Sequence, residues 1–212
     1  MSVAIRPCDP QDAEALALVS RATFLESYAD VLPAADILVH CEVQNRPDLY
    51  RDWLASPGWR AWLATAEGTG SPLGFALTCP PDLPVQTGPG DLELKRIYLL
   101  HRFQGGGTGA GLLAAAEAAA RQDGFDRLLL GVYSKNDQAL GFYARQGFTP
   151  VGVRTFRVGA NDYDDLVLAK PLDGVAVDPL VCFGCARLRL SSGTPAWRAN
   201  ARRTVGGGAE IP

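Results

Sequence analysis

The residues that could do chemistry cluster in one stretch. Gln104-Gly105-Gly106-Gly107-Thr108-Gly109 runs straight into an alanine-dense helical pattern. The first turn of a helix leaves about four backbone N–H groups unpaired and carries partial positive charge, so it attracts an anion. Glycines let the backbone approach a pyrophosphate without Cβ obstruction, and successive N–H groups form an anion-binding nest. The physics describes a phosphate cradle and leaves the nucleotide open. A Walker P-loop would end in Gly-Lys-Ser/Thr, which is absent. A dinucleotide fingerprint is met loosely by Gly105, Gly107 and Ala110. It also calls for an acidic residue ending the next strand, about 20 residues on. That strand closes instead with Gly131-Val132-Tyr133-Ser134. A glycine-rich turn without a ligand is the plainest alternative.

Other chemistry-bearing residues are sparse. His40 and His101 are too few and too scattered for a metal site or a triad, and read as surface or helix residues. Cys182-x-x-Cys185 has no second pair and no following histidine, so no metal is expected. Cysteines at 8, 41, 79, 182 and 185 make an odd set without framework spacing, which fits a reducing cytoplasm.

These residues must be positioned by regular elements. Asp9-Pro10 reads as an N-cap followed by proline at the first helical position. Ala13 to Tyr28 has the apolar spacing of an amphipathic helix. Pro33 opens a second helical region, and Pro47 a third containing Leu49, Trp53 and Leu54. Residues 59–66 and 72–79 read as strands joined around Gly68 and Gly70, and Pro80 to Gly90 as loop. Leu92 to Leu100 is a strand before the glycine turn, and Thr108 to Gln122 a helix after it. Arg127 to Tyr133 is an apolar strand, and Asp137 to Arg145 a helix stopped by Gly147. Phe148–Val158 and Tyr163–Ala169 complete a mixed α/β pattern.

A chain of 212 residues favours one domain with an appendage. Residues 1–173 carry 15 basic and 21 acidic side chains, whereas 174–212 carry five arginines against Asp178 and Glu210. The acidic body argues against nucleic acid as the principal partner and suits a cationic substrate. The basic segment 174–212, with Gly206-Gly207-Gly208, has little periodicity and reads as a disordered tail. No apolar run approaches the roughly 20 residues of a membrane helix, so no membrane partner is expected. Asp9, Asp12 and Glu14 occupy the place of a signal peptide's apolar core.

Gln104, Gly107 and Gly109 also satisfy the pattern Gln/Arg-x-x-Gly-x-Gly/Ala of the Gcn5-related (GNAT) N-acetyltransferase superfamily. Leu94-Lys95-Arg96-Ile97-Tyr98-Leu99, Leu130 to Asn136, and Ala139 to Phe148 resemble that family's core in order and spacing. The resemblance extends more loosely from about residue 3 to residue 172. Within the superfamily, Glu93 to Tyr98, Leu130 to Asn136, and Thr155-Phe156 through Asp165-Leu166 to Pro171-Leu172 look most like bacterial Pai-type spermidine/spermine N-acetyltransferases. The likeness implies a GNAT fold, a mixed, mostly antiparallel sheet flanked by helices, whose fourth and fifth strands splay to admit acetyl-CoA. It implies no metal, and it implies a homodimer without indicating an interface. Matching residue by residue, Ile97, Tyr98 and Leu99 would offer backbone bonds to the pantetheine arm. Gln104, Gly105, Gly106, Gly107, Thr108, Gly109 and Ala110 would wrap the pyrophosphate, and Asn136 would meet the cofactor beyond the splay. Many relatives carry a basic residue where this chain has Gly106.

Acetyl transfer to an amine needs a neutral nucleophile and a protonated leaving thiolate. An alkyl amine of pKa near 10.4 is almost wholly protonated at pH 7, so a base is required. A phenol can hydrogen-bond or protonate a thiolate whose thiol has a pKa of about 8.5. Tyr143, two helical turns after Asn136, is the candidate acid, or else it belongs to the apolar stripe with Ala139 and Phe142. Glu93 is the candidate base, acting directly or through water; its alternative is an exposed strand carboxylate. Strict alternation puts Glu93 on one face with Lys95, Ile97 and Leu99, and a bulge would change that. Asn136 also reads as the N-cap of its helix. Phe24, Glu26 and Tyr28, where the first helix ends, combine rings and a carboxylate suited to a cationic amine. Their alternative is core packing with solvated charge. The expected partner is a small-molecule or peptide amine: a polyamine, a protein N-terminus, a lysine or an amino acid. A second class of function is an acyl-CoA-binding sensor with little catalysis, and a third, a nucleotide-dependent oxidoreductase, lacks its acidic residue.

Overall fold

The proline and aspartate punctuation of the first fifty residues becomes three helices in the computed structural model, which describes residues 2–158 and 161–172. The expected tail, with Cys182 and Cys185, lies outside those residues. Asp9 caps a single 3-10 turn, Pro10–Asp12, rather than the long helix, and Asp12 returns the bond to the Asp9 N–H. The long helix α1 (Ala13–Tyr28) follows directly. Helix α2 (Ala34–Gln44) starts after Pro33, and α3 (Pro47–Ala55) starts on Pro47.

Among the described residues, seven strands form one sheet, in the order β1-β2-β3-β4-β5-β7-β6. They are β1 (Val3–Pro7), β2 (Arg60–Ala66), β3 (Pro72–Cys79), β4 (Asp91–Leu99), β5 (Arg127–Tyr133), β6 (Thr149–Val158) and β7 (Asn161–Pro171). Every neighbouring pair is antiparallel except β4–β5. This is the mixed, mostly antiparallel α/β sheet expected. β1 is the element missing from the sequence reading; its five residues are too few to establish a period.

Helix α4 (Thr108–Gln122) crosses from β4 to β5 and buries Leu112, Ala116 and Ala120, the i, i+4, i+8 stripe of an amphipathic helix, with Leu113 beside it. Those side chains share a core with Leu92 and Leu94 of β4, Leu128 and Leu130 of β5, and Tyr143 of α5 (Asp137–Arg145). Burying each leucine contributes about 1.5–3 kcal/mol. A Cβ at Gly111 would fall 2.7 Å from Ile5 Cδ1, so that glycine lets α4 close on β1. The opposite face of the sheet packs against α1 and α3 through Leu16, Val19, Tyr50, Leu63, Phe75 and Leu77.

Two irregularities in β4 create the site. Its parallel pairing with β5 covers only Asp91↔Arg127, Leu92↔Leu128 and Glu93↔Leu129. From Leu94 onward the two strands part. On its other side β4 pairs with β3 as far as Leu99, but the register shifts between Leu77↔Arg96 and Thr78↔Leu94, leaving Lys95 as a bulge. The bulge inverts the expected alternation. Past it, Arg96 and Tyr98 face α1–α3, while Ile97 packs with Leu92 and Leu94.

Candidate active site

The splay opens a cleft lined by Leu94 to Tyr98 of β4, Gly131 to Tyr133 of β5, Asn136, Ala139 and Tyr143 around α5, and Tyr28 of α1. Parted from β5, this stretch of β4 lies beyond the β4–β5 ladder, which ends at Glu93↔Leu129. Backbone polar groups seek partners, so this stretch suits a ligand with amides of its own. Gln104 sits at its end: the side-chain amide donates to the Leu99 carbonyl at 3.1 Å and accepts from Gln138 of α5 at 2.7 Å.

The glycine turn meets the head of α4. Gly105 and Gly107 hold φ of +78° and +85°, where a side chain is strained, and Gly107 is the residue preceding the first helical turn. Among the described residues, no atom other than those of the chain neighbours lies within 4 Å of a Cβ built on Gly105, Gly106 or Gly107, so their outer side is open. The turn therefore has the shape, the free helix N–H groups and the clearance that a pyrophosphate needs.

Tyr143 and Asn136, predicted to share a cleft, both line it. Asn136 Oδ1 accepts the Ala139 N–H at 3.0 Å, so it caps α5 from within the lining. Tyr143 is 8% exposed and packs edge-on against Phe142 and Phe148, in the apolar stripe that was its alternative reading. Burial pushes its phenol well above the ordinary tyrosine value, so it stays protonated. The Tyr98 phenol, beside those of Tyr28 and Tyr143, is pushed up by burial to about 12, against the pull of Tyr28 and Arg96.

Glu93 lies on β4 before the stretch that lines the cleft. It is 3% exposed, and its carboxylate accepts the Asp82 N–H at 2.7 Å, anchoring the loop after β3. It is thus buried, not the exposed strand carboxylate of its alternative reading. Burial raises its pKa, opposed by the Asp82 N–H, Lys95 and Arg154.

The three acceptor-side residues separate. Tyr28 lines the cleft. Phe24 is buried at 2% exposure and stacks on His40, with ring centroids 4.0 Å apart. Glu26 accepts the His101 N–H at 2.9 Å and does not line the cleft. His40, read as a surface or helix residue, is a buried one on α2; burial and Arg96 depress its pKa to about 3, leaving it neutral.

The structure adds residues that sequence reasoning assigned no role. Lys95, Arg96, Gly131, Val132, Tyr133 and Ala139 line the cleft within stretches already quoted. Behind Gly131, Arg154 and Asp165 form a buried ion pair at 3.0 Å. A Cβ on Gly131 would fall 2.6 Å from Arg154 Nη2, so the glycine makes room for the guanidinium. Only the β6–β7 register, which a sequence does not display, brings Arg154 opposite Asp165. Among the described residues no three His, Cys, Asp or Glu side chains gather as metal ligands, and no helix is long and apolar enough to cross a membrane.

Residues 25–148 match the model of the acetyltransferase (GNAT) family. The chain is 32% identical over 161 residues to an uncharacterized N-acetyltransferase of Mycobacterium bovis, covering 76% of this chain and 98% of that protein. Among solved structures it resembles the PaiA N-acetyltransferase of Thermoplasma acidophilum in complex with coenzyme A. There the TM-score is 0.66 and the identity 20%, over 81% of this chain and 99% of that one. It also resembles the ribosomal-protein-S18-alanine N-acetyltransferase of Escherichia coli, with TM-score 0.57 and 18% identity over 84% and 98% of the two chains. At such identities these structures share the fold.

Proposed function

This chain belongs to the GNAT family of acetyl-CoA-dependent N-acetyltransferases, and we propose that it acetylates a primary amine, a polyamine first among candidates, by direct transfer in a ternary complex. The observation that carries this reading is the continuity of the cleft. One opening joins the splayed stretch of β4, Tyr143, the Asn136 cap and Tyr28 of the acceptor side. A donor and an acceptor entering from opposite ends would meet between the splayed strands, and holding them together supplies much of the rate.

Acetyl-CoA, when bound, supplies a thioester carbon open to the amine and a sulfur that leaves as thiolate. Ile97, Tyr98 and Leu99 would engage its pantetheine arm through backbone groups. Gln104 to Ala110 would enclose its pyrophosphate, and Asn136 would lie along it beyond the splay. Tyr143 holds its proton more tightly than a free phenol. Full transfer to a thiolate whose conjugate acid has a pKa of about 8.5 is therefore uphill. Its role is hydrogen-bond donation to the developing charge at sulfur. Glu93, kept basic by its raised pKa, takes the amine's proton through water, because it stands outside the lining. Tyr28 offers a ring to a cationic acceptor. Phe24 and Glu26 support that wall from the core and from the α1–His101 contact.

The test is coenzyme A release with acetyl-CoA and a panel of spermidine, spermine, diamines, amino acids and peptides. Turnover with polyamines supports the reading, and turnover confined to peptides or amino acids replaces the acceptor. Coenzyme A binding without turnover would favour an acyl-CoA sensor.

A further inference from the structure

Arg96 is 2% exposed and lies immediately past the bulge of β4. Its guanidinium stands over the rings of Tyr50 and Trp53, with Cζ 5.7 and 5.1 Å from their centroids. Its Nη1 lies 2.7 Å from Tyr50 Oη, 2.9 Å from the Gln44 carbonyl and 3.1 Å from Asn45 Oδ1. Tyr50 in turn donates to Ser20 Oγ at 2.8 Å, and Ser20 donates to Asn45 Oδ1 at 2.9 Å. The bonds close a ring, Arg96 to Tyr50 to Ser20 to Asn45 and back to Arg96. Arg21 Nε adds a bond to the Asn45 carbonyl at 3.0 Å.

Two elements meet directly on this side chain, the end of α2 through Gln44 and Asn45 and α3 through Tyr50 and Trp53, and α1 joins them through Ser20 and Arg21. Beyond these bonds, helix α2 is held by Ile37 and by the stack of His40 on Phe24. Only Ile37 and His40 of its eleven residues are buried, while Leu38, Val39 and Val43 are exposed. Ile37 packs with Tyr28, the acceptor-side residue of the cleft. None of the ring's bonds reaches the glycine turn or α4.

We propose that Arg96 is a positioning residue for the acceptor, latching the end of α2 to the splayed stretch of β4 and so holding the wall behind Tyr28. An aliphatic side chain would leave the Gln44 carbonyl, Asn45 Oδ1 and Tyr50 Oη each short of a buried donor. Lysine would restore a donor but not the planar group between two rings.

The test uses Arg96→Met and Arg96→Lys in the full chain. Three readouts are taken: coenzyme A affinity by titration, amide exchange across residues 34–45, and amine KM against kcat with the best acceptor of the panel. Arg96→Met is expected to speed exchange in 34–45 and to raise amine KM, each by about tenfold or more. Coenzyme A affinity falls by much less than amine affinity, because the β4 backbone beside Arg96 stays in its ladder with β3. Arg96→Lys recovers part of both losses. If Arg96→Met does not fold, Tyr50→Phe, which keeps the ring and removes one link, carries the same readouts with smaller effects. Unchanged exchange in 34–45 would overturn the proposal, as would coenzyme A affinity falling in step with amine affinity. Only the KM arm rests on the amine reading. A silent amine panel would therefore count against that reading, while exchange and titration still decide the latch.

Discussion

Burial decides where single residues hold their protons. Tyr143 sits among Phe142, Phe148 and the core, and its phenol remains protonated through the whole working pH range. Tyr143→Phe keeps the packing and removes the donor, so kcat should fall about 100-fold while coenzyme A affinity stays constant. No alkaline limb of the rate profile below about pH 10 should belong to this residue. Glu93 makes the opposite kind of prediction. Its folded pKa is raised, so its ionised form costs stability. That cost appears as pH climbs through the unfolded carboxyl's value and grows until the folded value is passed. Glu93→Gln keeps an acceptor for the Asp82 N–H and removes the charge. Its melting temperature should therefore gain on the parent's as pH rises from 4 to 7, and a gap independent of pH would refute the assignment. The types and spacing of Tyr143 and Asn136 were legible in the sequence because a helix converts seven residues into two turns. Glu93 was not: its surroundings come from a loop eleven residues away, whose path no periodicity reports.

At the scale of elements, local chemistry was a good guide wherever it acts alone. Thr108–Gln122, Arg127–Tyr133 and Asp137–Arg145 form within the bounds that capping, glycine stops and apolar spacing imply. The glycine turn separates two kinds of glycine. Gly107→Ala must force a side chain into φ +85°, at a cost of about 1–2 kcal/mol, and should weaken coenzyme A binding. Gly106 has open space and is not among the positive-φ glycines, so Gly106→Ala should change stability by less than about 0.5 kcal/mol. Thermal melts and coenzyme A titrations of the two variants check this; equal effects would mean that backbone conformation is not what the turn supplies. Alternation failed in β4 for a physical reason. One extra residue, Lys95, inverts the faces, so Arg96 rather than Lys95 enters the interior. A bulge leaves no mark on composition, and the ring around Arg96 was invisible until the register was known.

At the scale of the molecule, the order β1-β2-β3-β4-β5-β7-β6 explains why the centre opens. β4 and β5 are the sheet's parallel pair, bridged by α4, and they touch over three residue pairs before parting. The halves on either side are antiparallel ladders, bulged at Lys95 on the β3 side. The class of fold was legible because each half declares itself locally. The acceptor was not, because it depends on how α1, α2 and the loop after β3 settle on that sheet, a matter of long-range packing. Coenzyme A release by the full chain, given acetyl-CoA with spermidine or spermine, is to be measured beside the Tyr143→Phe variant. Polyamine-dependent release is expected, dropping about 100-fold in the variant with coenzyme A still bound. Release that is absent across the whole amine panel, or that is unaltered in the variant, would contradict the proposed transfer.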